Sequence, residues 1–401
     1  MRVVITGIGA VTPIGNSFSL SWESLLAGVN GISVFHHDSS TAGVHLAGKL
    51  KNFAAEAYLP HKDILRLDPF IHYAAAAAVQ AVSDSGLSEH RCFENAAVII
   101  GTSRGGITTL NHGMRKLYKD GVRKLSAYLM AKTTASMAAS YISERYKITG
   151  HTLCISNACS SGATALGEAL RLIRHGYTDL VLAGGTEAPL CELCFMGYSA
   201  SGALSKSTEL NASRPFDKYR DGFILSEGAT IMVLESYERA KARGVRIYAE
   251  IAGYANVSDA YHMVKPAAAG EAKAMEYALR DAVSAPGDVD FINAHATSTR
   301  EGDRTEAAAI EKVFGSLSIP VTANKSMTGH MLGASGAFEA AVTAMSLSEG
   351  LLPPAINVSE QDTGCPVNLV KSQLRGGFDV GLTNSFGFGG VNTVLLLKRV
   401  K

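Results

Sequence analysis

The chain has 401 residues, 47% of them hydrophobic and only 18% charged, with 40 glycines. That is the balance of a compact enzyme with much buried surface, and it excludes a disordered chain. A formal net charge of +1 excludes a global field that would draw DNA or RNA, so a partner needing basic contacts must find a local patch.

Taken in chain order, Met1 and Arg2 run straight into a β-branched run at 3–6, without the pattern of a signal peptide. Further short apolar runs follow at 97–100, 153–156, 180–183, 289–293 and 380–384, with longer alanine-rich segments between them. Buried strands alternating with packed helices give a layered α/β fold. The segment 71–82, with its alanine run at 74–78, reads as a helix packed so closely that only methyl groups fit. A second such helix is expected after Cys159, through Ala163, Leu166, Ala169, Leu170 and Ile173. Apolar stretches are interrupted by Gly, His, Gln or Ser well before the ~20 residues that span a bilayer, so no membrane segment is expected. The six cysteines (Cys92, Cys154, Cys159, Cys191, Cys194 and Cys365) are scattered through the chain. Free thiols and a reducing, cytoplasmic location are expected.

The two parts of the chain echo each other. Glu227-Gly228 leads into a strand at 230–234, and Gly389-Gly390 leads into one at 393–397. The strand-to-helix passage at 157–162 has a counterpart at 327–333, each opening a Gly/Ala-rich helix. A duplicated α/β unit follows, with halves at 1–240 and 241–401 and a join near 235–246.

Four segments carry chemistry. Ser156-Asn-Ala-Cys159-Ser-Ser-Gly162 places a cysteine between a strand and a helix, where the helix N-terminus and free N–H groups are expected to lower the thiol pKa from ~8.5. Cys154, inside the strand, fits a structural thiol better. Asn293-Ala-His295-Ala-Thr297-Ser-Thr299 and Asn324-Lys325-Ser-Met-Thr-Gly-His330 each put a histidine just past a strand end, where ligands approach α/β sheets. Asn384-Ser-Phe386-Gly-Phe388-Gly-Gly-Val-Asn392 is a glycine-dense turn whose N–H groups suit half of an oxyanion hole. The pair Gly7-Ile-Gly9 lacks the third glycine and the acidic residue of a dinucleotide loop. Cys191 and Cys194 have redox or zinc spacing but no second pair, so no metal site is assigned.

Together these motifs, with Ile5-Thr-Gly-Ile-Gly-Ala-Val-Thr-Pro13-Ile-Gly15, Ser213-Arg-Pro-Phe-Asp217 and Arg220-Asp-Gly-Phe223, resemble the β-ketoacyl-carrier-protein synthases over essentially the whole chain. The likeness is to the elongating, Cys-His-His class. It implies a thiolase-like fold, with duplicated βαβαβαββ halves in an α/β/α/β/α arrangement. It also implies an acyltransferase that performs a decarboxylating condensation with malonyl-carrier protein. Cys159 would hold the acyl group, His295 and His330 would stabilise the enolate, and the Cys159 and Phe388 N–H groups would form the oxyanion hole. Lys325 would order the site by pairing with Glu306, and Phe388 would gate it. Thr297 and Thr299 would bind the pantetheine arm, with Phe386 and Arg104 as further substrate contacts. An acidic acyl carrier protein would dock on Lys62, Arg66, Arg123, Lys124 and Lys206. Substrates would arrive on its phosphopantetheine, with no metal or redox cofactor. A homodimer, or a heterodimer with a related subunit, is implied.

A thiolase would carry a second cysteine in the last glycine-rich turn, where Ser385 stands. A starter-type synthase would have asparagine in place of His330, and a non-catalytic chain-length subunit would lack Cys159. The chain departs from the fatty-acid pattern at Arg104, where a small apolar pocket residue is usual, and at Ala131, Lys132 and Ser136 in the segment at the dimer interface. Val264, Ala296 and the Ser160-Ser161 pair depart as well. A polyketide or polyene ketosynthase, paired with a non-identical subunit, is therefore the alternative to fatty-acid elongation.

Overall fold

The computed structural model describes the chain except residues 38–43, 88–89, 119–120, 122–124 and 316–317, and the side chains of 90 and 91. Its central sheet has eleven strands: β1 Val3–Val11, β2 Ala97–Gly101, β3 Thr152–Ile155, β4 Leu180–Glu187, β5 Gly228–Ser236, β6 Ala249–Ser258, β7 Phe291–Asn293, β8 Pro320–Thr322, β9 Asn368–Leu369, β10 Val380–Gly387 and β11 Val391–Lys398. Every strand expected from the sequence is present, several of them longer than the apolar run that announced it.

The sheet order is β9-β8-β7-β10-β11-β6-β1-β5-β4-β2-β3, and it contains one five-strand pattern twice. In the first, β1 and β5 run antiparallel, β5 and β4 antiparallel, then β4, β2 and β3 parallel. In the second, β6 and β11 run antiparallel, β11 and β10 antiparallel, then β10, β7 and β8 parallel. The patterns meet where β1 pairs with β6 through only Val4↔Glu250 and Ile5↔Ala249. β9 extends the second pattern at its outer edge.

Five helices complete the layers: α1 Pro69–Asp84, α2 Ser161–Arg174, α3 Ala268–Asp281, α4 Arg300–Phe314 and α5 Ser335–Glu349. Three apolar cores separate them. The first lies between α1 and the outer face of the first strand set, with Ala74, Ala77, Ala78 and Ala81 against Ile100, Ile231 and Val233. The second surrounds α2 and α5 and draws on both sets, including Ile5, Val181, Met232, Ile251, Leu395 and Leu397. The third packs α3 and α4 on the second set through Ala274, Ala278, Ile310, Leu382 and Leu396. This is the α/β/α/β/α arrangement. Gly7 and Gly9 also find their reason here: a Cβ at either would overlap the Ala81 or Ala77 carbonyl oxygen of α1. The glycine pair and the alanine run are two sides of one close helix–strand contact.

The repeat places the counterpart of the 157–162 passage slightly later than expected. Ala158–Ser160 forms a single 3₁₀ turn ahead of α2, and Leu332–Ala334 forms one ahead of α5. Ala158 (φ 47°) and Leu332 (φ 45°) share a left-handed backbone. Gly333 thus occupies the place that Cys159 has in the first half.

Candidate active site

Cys159 stands on the 3₁₀ turn between β3 and α2, and is 9% exposed. The turn is strained at Ala158, a conformation that costs a non-glycine residue about 1–3 kcal/mol and concentrates at functional sites. The expectation of a lowered thiol pKa does not hold for this chain. Burial pushes the Cys159 thiol up to about 11; Lys325, Arg104 and the Phe388 N–H pull it down while Glu187 adds to the rise. Desolvation of the thiolate outweighs these attractions. A Cβ built on Gly387 would lie 3.3 Å from the Cys159 nitrogen, so the turn between β10 and β11 lies directly against the nucleophile. The Phe388 N–H hydrogen-bonds the sulfur, which puts both N–H groups assigned to the oxyanion hole on facing turns.

His295 follows β7 on a turn whose Ala296 (φ 32°) and Ser298 (φ 69°) are left-handed. Glu306 on α4 holds that turn, accepting from the N–H groups of His295 (2.8 Å) and Ala296 (2.7 Å) and from Asn384 Nδ2 (2.9 Å). The His295 and His330 rings meet edge to face at 5.4 Å. Lys325 Nζ reaches the His295 carbonyl oxygen (2.6 Å) and stands 3.3 Å from its Nδ1. His330 Nδ1 is 3.1 Å from the Ser335 hydroxyl. Burial first, and then the Lys325 charge, hold both imidazoles well below their ordinary pKa, with His330 adding to the effect on His295. An ammonium only donates, so His295 Nδ1 accepts from Lys325 and the neutral ring carries its proton on Nε2; the Ser335 hydroxyl can donate to His330 Nδ1 and so accommodates the same tautomer there.

The expected partner of Lys325 needs correction. Its ammonium pairs with Glu339 on α5, both side chains being buried, while the Glu306 carboxylate is occupied by the His295 turn. A buried lysine requires a carboxylate at contact distance, and the carboxylate of Glu339 is the one that reaches it.

Cys159, His295, His330, Thr297, Thr299, Glu306, Phe386 and Phe388 all line one cavity of about 340 Å³. Thr297 and Thr299 share a 3.1 Å hydroxyl contact, and Thr299 caps α4 by accepting from the Gly302 N–H. Sequence reasoning missed Tyr198, Asp259, Lys265, Glu271 and Arg300 on the same wall. Only Arg300 carried a signal, because it adjoins Thr299. The others come from elements whose approach no local spacing reveals.

Of the docking cations, Lys62 and Arg66 are exposed on the helix His61–Arg66, and the Arg66 guanidinium lies 5.0 Å from the Tyr128 ring centre. Lys206 is exposed, and its N–H donates to Asp221, a residue of the cavity wall. Arg123 and Lys124 lie outside the described residues. Arg104 is not on the wall of this cavity; its Nε donates to the Tyr198 hydroxyl at 2.9 Å. Lys132, on the short helix Leu129–Thr133, lends its charge to the buried Asp68 carboxyl. Cys191 and Cys194 are free thiols, and no cluster that could hold a metal ion occurs among the described residues.

A duplicated five-layer fold with a buried cysteine, two facing histidines and a lysine–glutamate pair behind them defines a condensing enzyme of the thiolase-like class. The profile described as "Beta-ketoacyl synthase, N-terminal domain" matches residues 1–240, and that described as "Beta-ketoacyl synthase, C-terminal domain" matches residues 248–359. The chain belongs to the beta-ketoacyl synthase family. It is 42% identical to "3-oxoacyl-[acyl-carrier-protein] synthase 2" of Vibrio cholerae, over 100% of this chain and 99% of that protein. The Synechocystis protein of the same name is 40% identical, over 99% of this chain and 98% of the relative. Among solved structures, "The ishigamide ketosynthase/chain length factor" superposes with a TM-score of 0.94 at 34% identity, covering 100% of this chain and 99% of that one. A type II PKS ketosynthase solved with its acyl-carrier protein and bound to the hexaketide superposes with a TM-score of 0.91 at 31% identity, covering 100% and 99%.

Proposed function

We propose that this protein is a 3-oxoacyl-acyl-carrier-protein synthase, acting in fatty-acid elongation in the cytoplasm. The carrying observation is the convergence of Cys159, His295 and His330 on one cavity. In the first half-reaction Cys159 Sγ attacks the thioester of an acyl carrier protein. The new S–C bond replaces the old one, and the thiol proton leaves with the phosphopantetheine sulfur. The malonyl thioester then loses carbon dioxide, and its enolate oxygen takes hydrogen bonds from the Nε2–H groups of His295 and His330. The enolate carbon attacks the acyl-Cys159 thioester, whose oxygen rests on the Cys159 and Phe388 N–H groups. Collapse expels Cys159 and leaves 3-oxoacyl-carrier protein.

In this reading residues 1–240 and 241–401 act as one catalytic unit, with the pantetheine arm passing Thr297 and Thr299. The steps balance without a redox partner. The outer edge of β3, where Leu153 is 45% exposed, suits pairing with a second ketosynthase-like subunit. The alternative is a type II polyketide or polyene ketosynthase with a chain-length partner; the charges at Arg104 and Lys132 favour that reading. Incubating the protein with an acyl-carrier protein and malonyl-carrier protein tests the main reading. Release of carbon dioxide with formation of 3-oxoacyl-carrier protein is expected, and loss of the 3-oxoacyl product in Cys159→Ala.

A further inference from the structure

The nucleophile shares an apolar cluster with Tyr198, Cys194, Leu204, Phe223 and Leu332, of which Tyr198, Phe223 and Leu332 also line the cavity. Arg104 reaches this cluster. It donates from Nε to the Tyr198 hydroxyl at 2.9 Å, with its guanidinium carbon 5.2 Å from the ring centre. Tyr198 is itself buried and lines the cavity that holds Cys159. Among the described residues Arg104 takes part in no ion pair and its Nη groups make no hydrogen bond. The nearby carboxylate of Glu187 is turned to the chain instead. One of its oxygens accepts from Thr102 Oγ1 (2.8 Å), from the Ser103 N–H and from the Arg104 N–H (3.1 Å). Glu187 therefore fixes the loop that carries Arg104; its other oxygen, Oε2, is buried without a hydrogen-bond partner, and the carboxylate acts on the guanidinium through charge and not through a contact ion pair.

The groups that Arg104, an exposed residue of this chain, and Tyr198 leave for a ligand are donors. Two Nη groups remain on the arginine, and the Tyr198 hydroxyl, which accepts from Nε, keeps its own proton to give. A saturated chain end offers such a set nothing and leaves a charge beside methylenes. A carboxylate has two acceptor oxygens in a plane that matches the guanidinium fork. We infer that Arg104 and Tyr198 form a specificity site for the far end of the acyl group, and that the acyl groups taken up by Cys159 end in a carboxylate. This inference rests on the condensing reading above and narrows its substrate class to ω-carboxyacyl thioesters.

The test compares loading of Cys159 by matched pantetheine thioesters, followed by intact-protein mass spectrometry: succinyl against butanoyl, adipoyl against hexanoyl, suberoyl against octanoyl. At the length that fits, the ω-carboxyacyl member should load faster by at least about tenfold, the worth of one good charged contact. Arg104→Met should abolish or reverse that preference, Arg104→Lys should retain part of it, and Tyr198→Phe should weaken it. Iodoacetamide labelling of Cys159 in each variant shows that the fold and the thiol are intact. Equal loading within every pair, or an unchanged ratio in Arg104→Met, overturns the inference while leaving condensation standing. Failure of every thioester to acylate Cys159, with labelling intact, overturns the condensing reading and this inference together.

Discussion

Lys325 Nζ stands 3.3 Å from Nδ1 of His295 while pairing with Glu339 on the opposite side. The ammonium thereby fixes the imidazole tautomer and disfavours a second charge on the ring. This is a positioning role, because Lys325 does not line the cavity.

Lys325→Met should therefore lower malonyl decarboxylation by about 100-fold or more, the scale on which a misplaced proton donor acts. It should also destabilise the protein by about 3–5 kcal/mol, since Glu339 is left buried and unpaired. The double change Lys325→Met with Glu339→Leu should recover most of the stability and none of the activity. Thermal melts beside carbon dioxide release separate the two effects. Recovery of activity in the double variant would reduce the pair to packing.

The nucleophile assignment separates two cysteines only five residues apart. Cys159→Ala should abolish acylation and condensation, whereas Cys154→Ala, in β3 and away from the cavity wall, should leave both within about twofold, as for changes outside a site. Equal losses would undo the assignment. Cys159→Gln should keep decarboxylating malonyl-carrier protein without condensing, because both histidines remain and the amide imitates an acylated sulfur.

The raised thiol makes a prediction about pH. Alkylation requires the thiolate, and with Cys159 pushed up to about 11 the reactive fraction at pH 8 is only roughly one in a thousand. Each added pH unit below the pKa multiplies that fraction about tenfold. Iodoacetamide inactivation should climb steadily between pH 7 and about 10, without a plateau. A plateau already at pH 7–8 would mean that the helix N-terminus, and not burial, governs the free thiol.

The fold and the reactive centre were legible because each is written locally. Apolar runs mark the strands, and Cys159 and His295 each closely follow one, whereas His330, expected just past a strand end, lies beyond β8 with the short helix Lys325–Thr328 between them. What escaped the sequence depends on approach between distant elements. Glu339 lies fourteen residues beyond Lys325 on α5, and no spacing rule prefers it to Glu306; only the fold shows Glu306 committed to the His295 turn. Burial decided the thiol, and burial is a property of the assembled layers. Gly7 and Gly9 carried a true signal of close backbone approach, but the partner is the helix α1.

Docking of the carrier protein gives the last prediction. Lys62, Arg66 and Lys206 are exposed, and none of them lines the cavity. They can act on an acidic carrier through long-range attraction without touching the pantetheine arm. Reversing all three to glutamate should raise the apparent KM for carrier-protein substrates by about tenfold at low salt, within the range of electrostatic steering. It should also flatten the salt dependence, since the screened attraction has been removed. Turnover of small pantetheine thioesters should hardly change. Arg300 supplies the contrasting control: it lines the cavity and donates from Nε to the Arg220 carbonyl oxygen at 3.2 Å, so Arg300→Glu should impair both substrate types. If the triple reversal slowed carrier-bound and small substrates equally, these cations would serve the fold and the carrier would dock elsewhere.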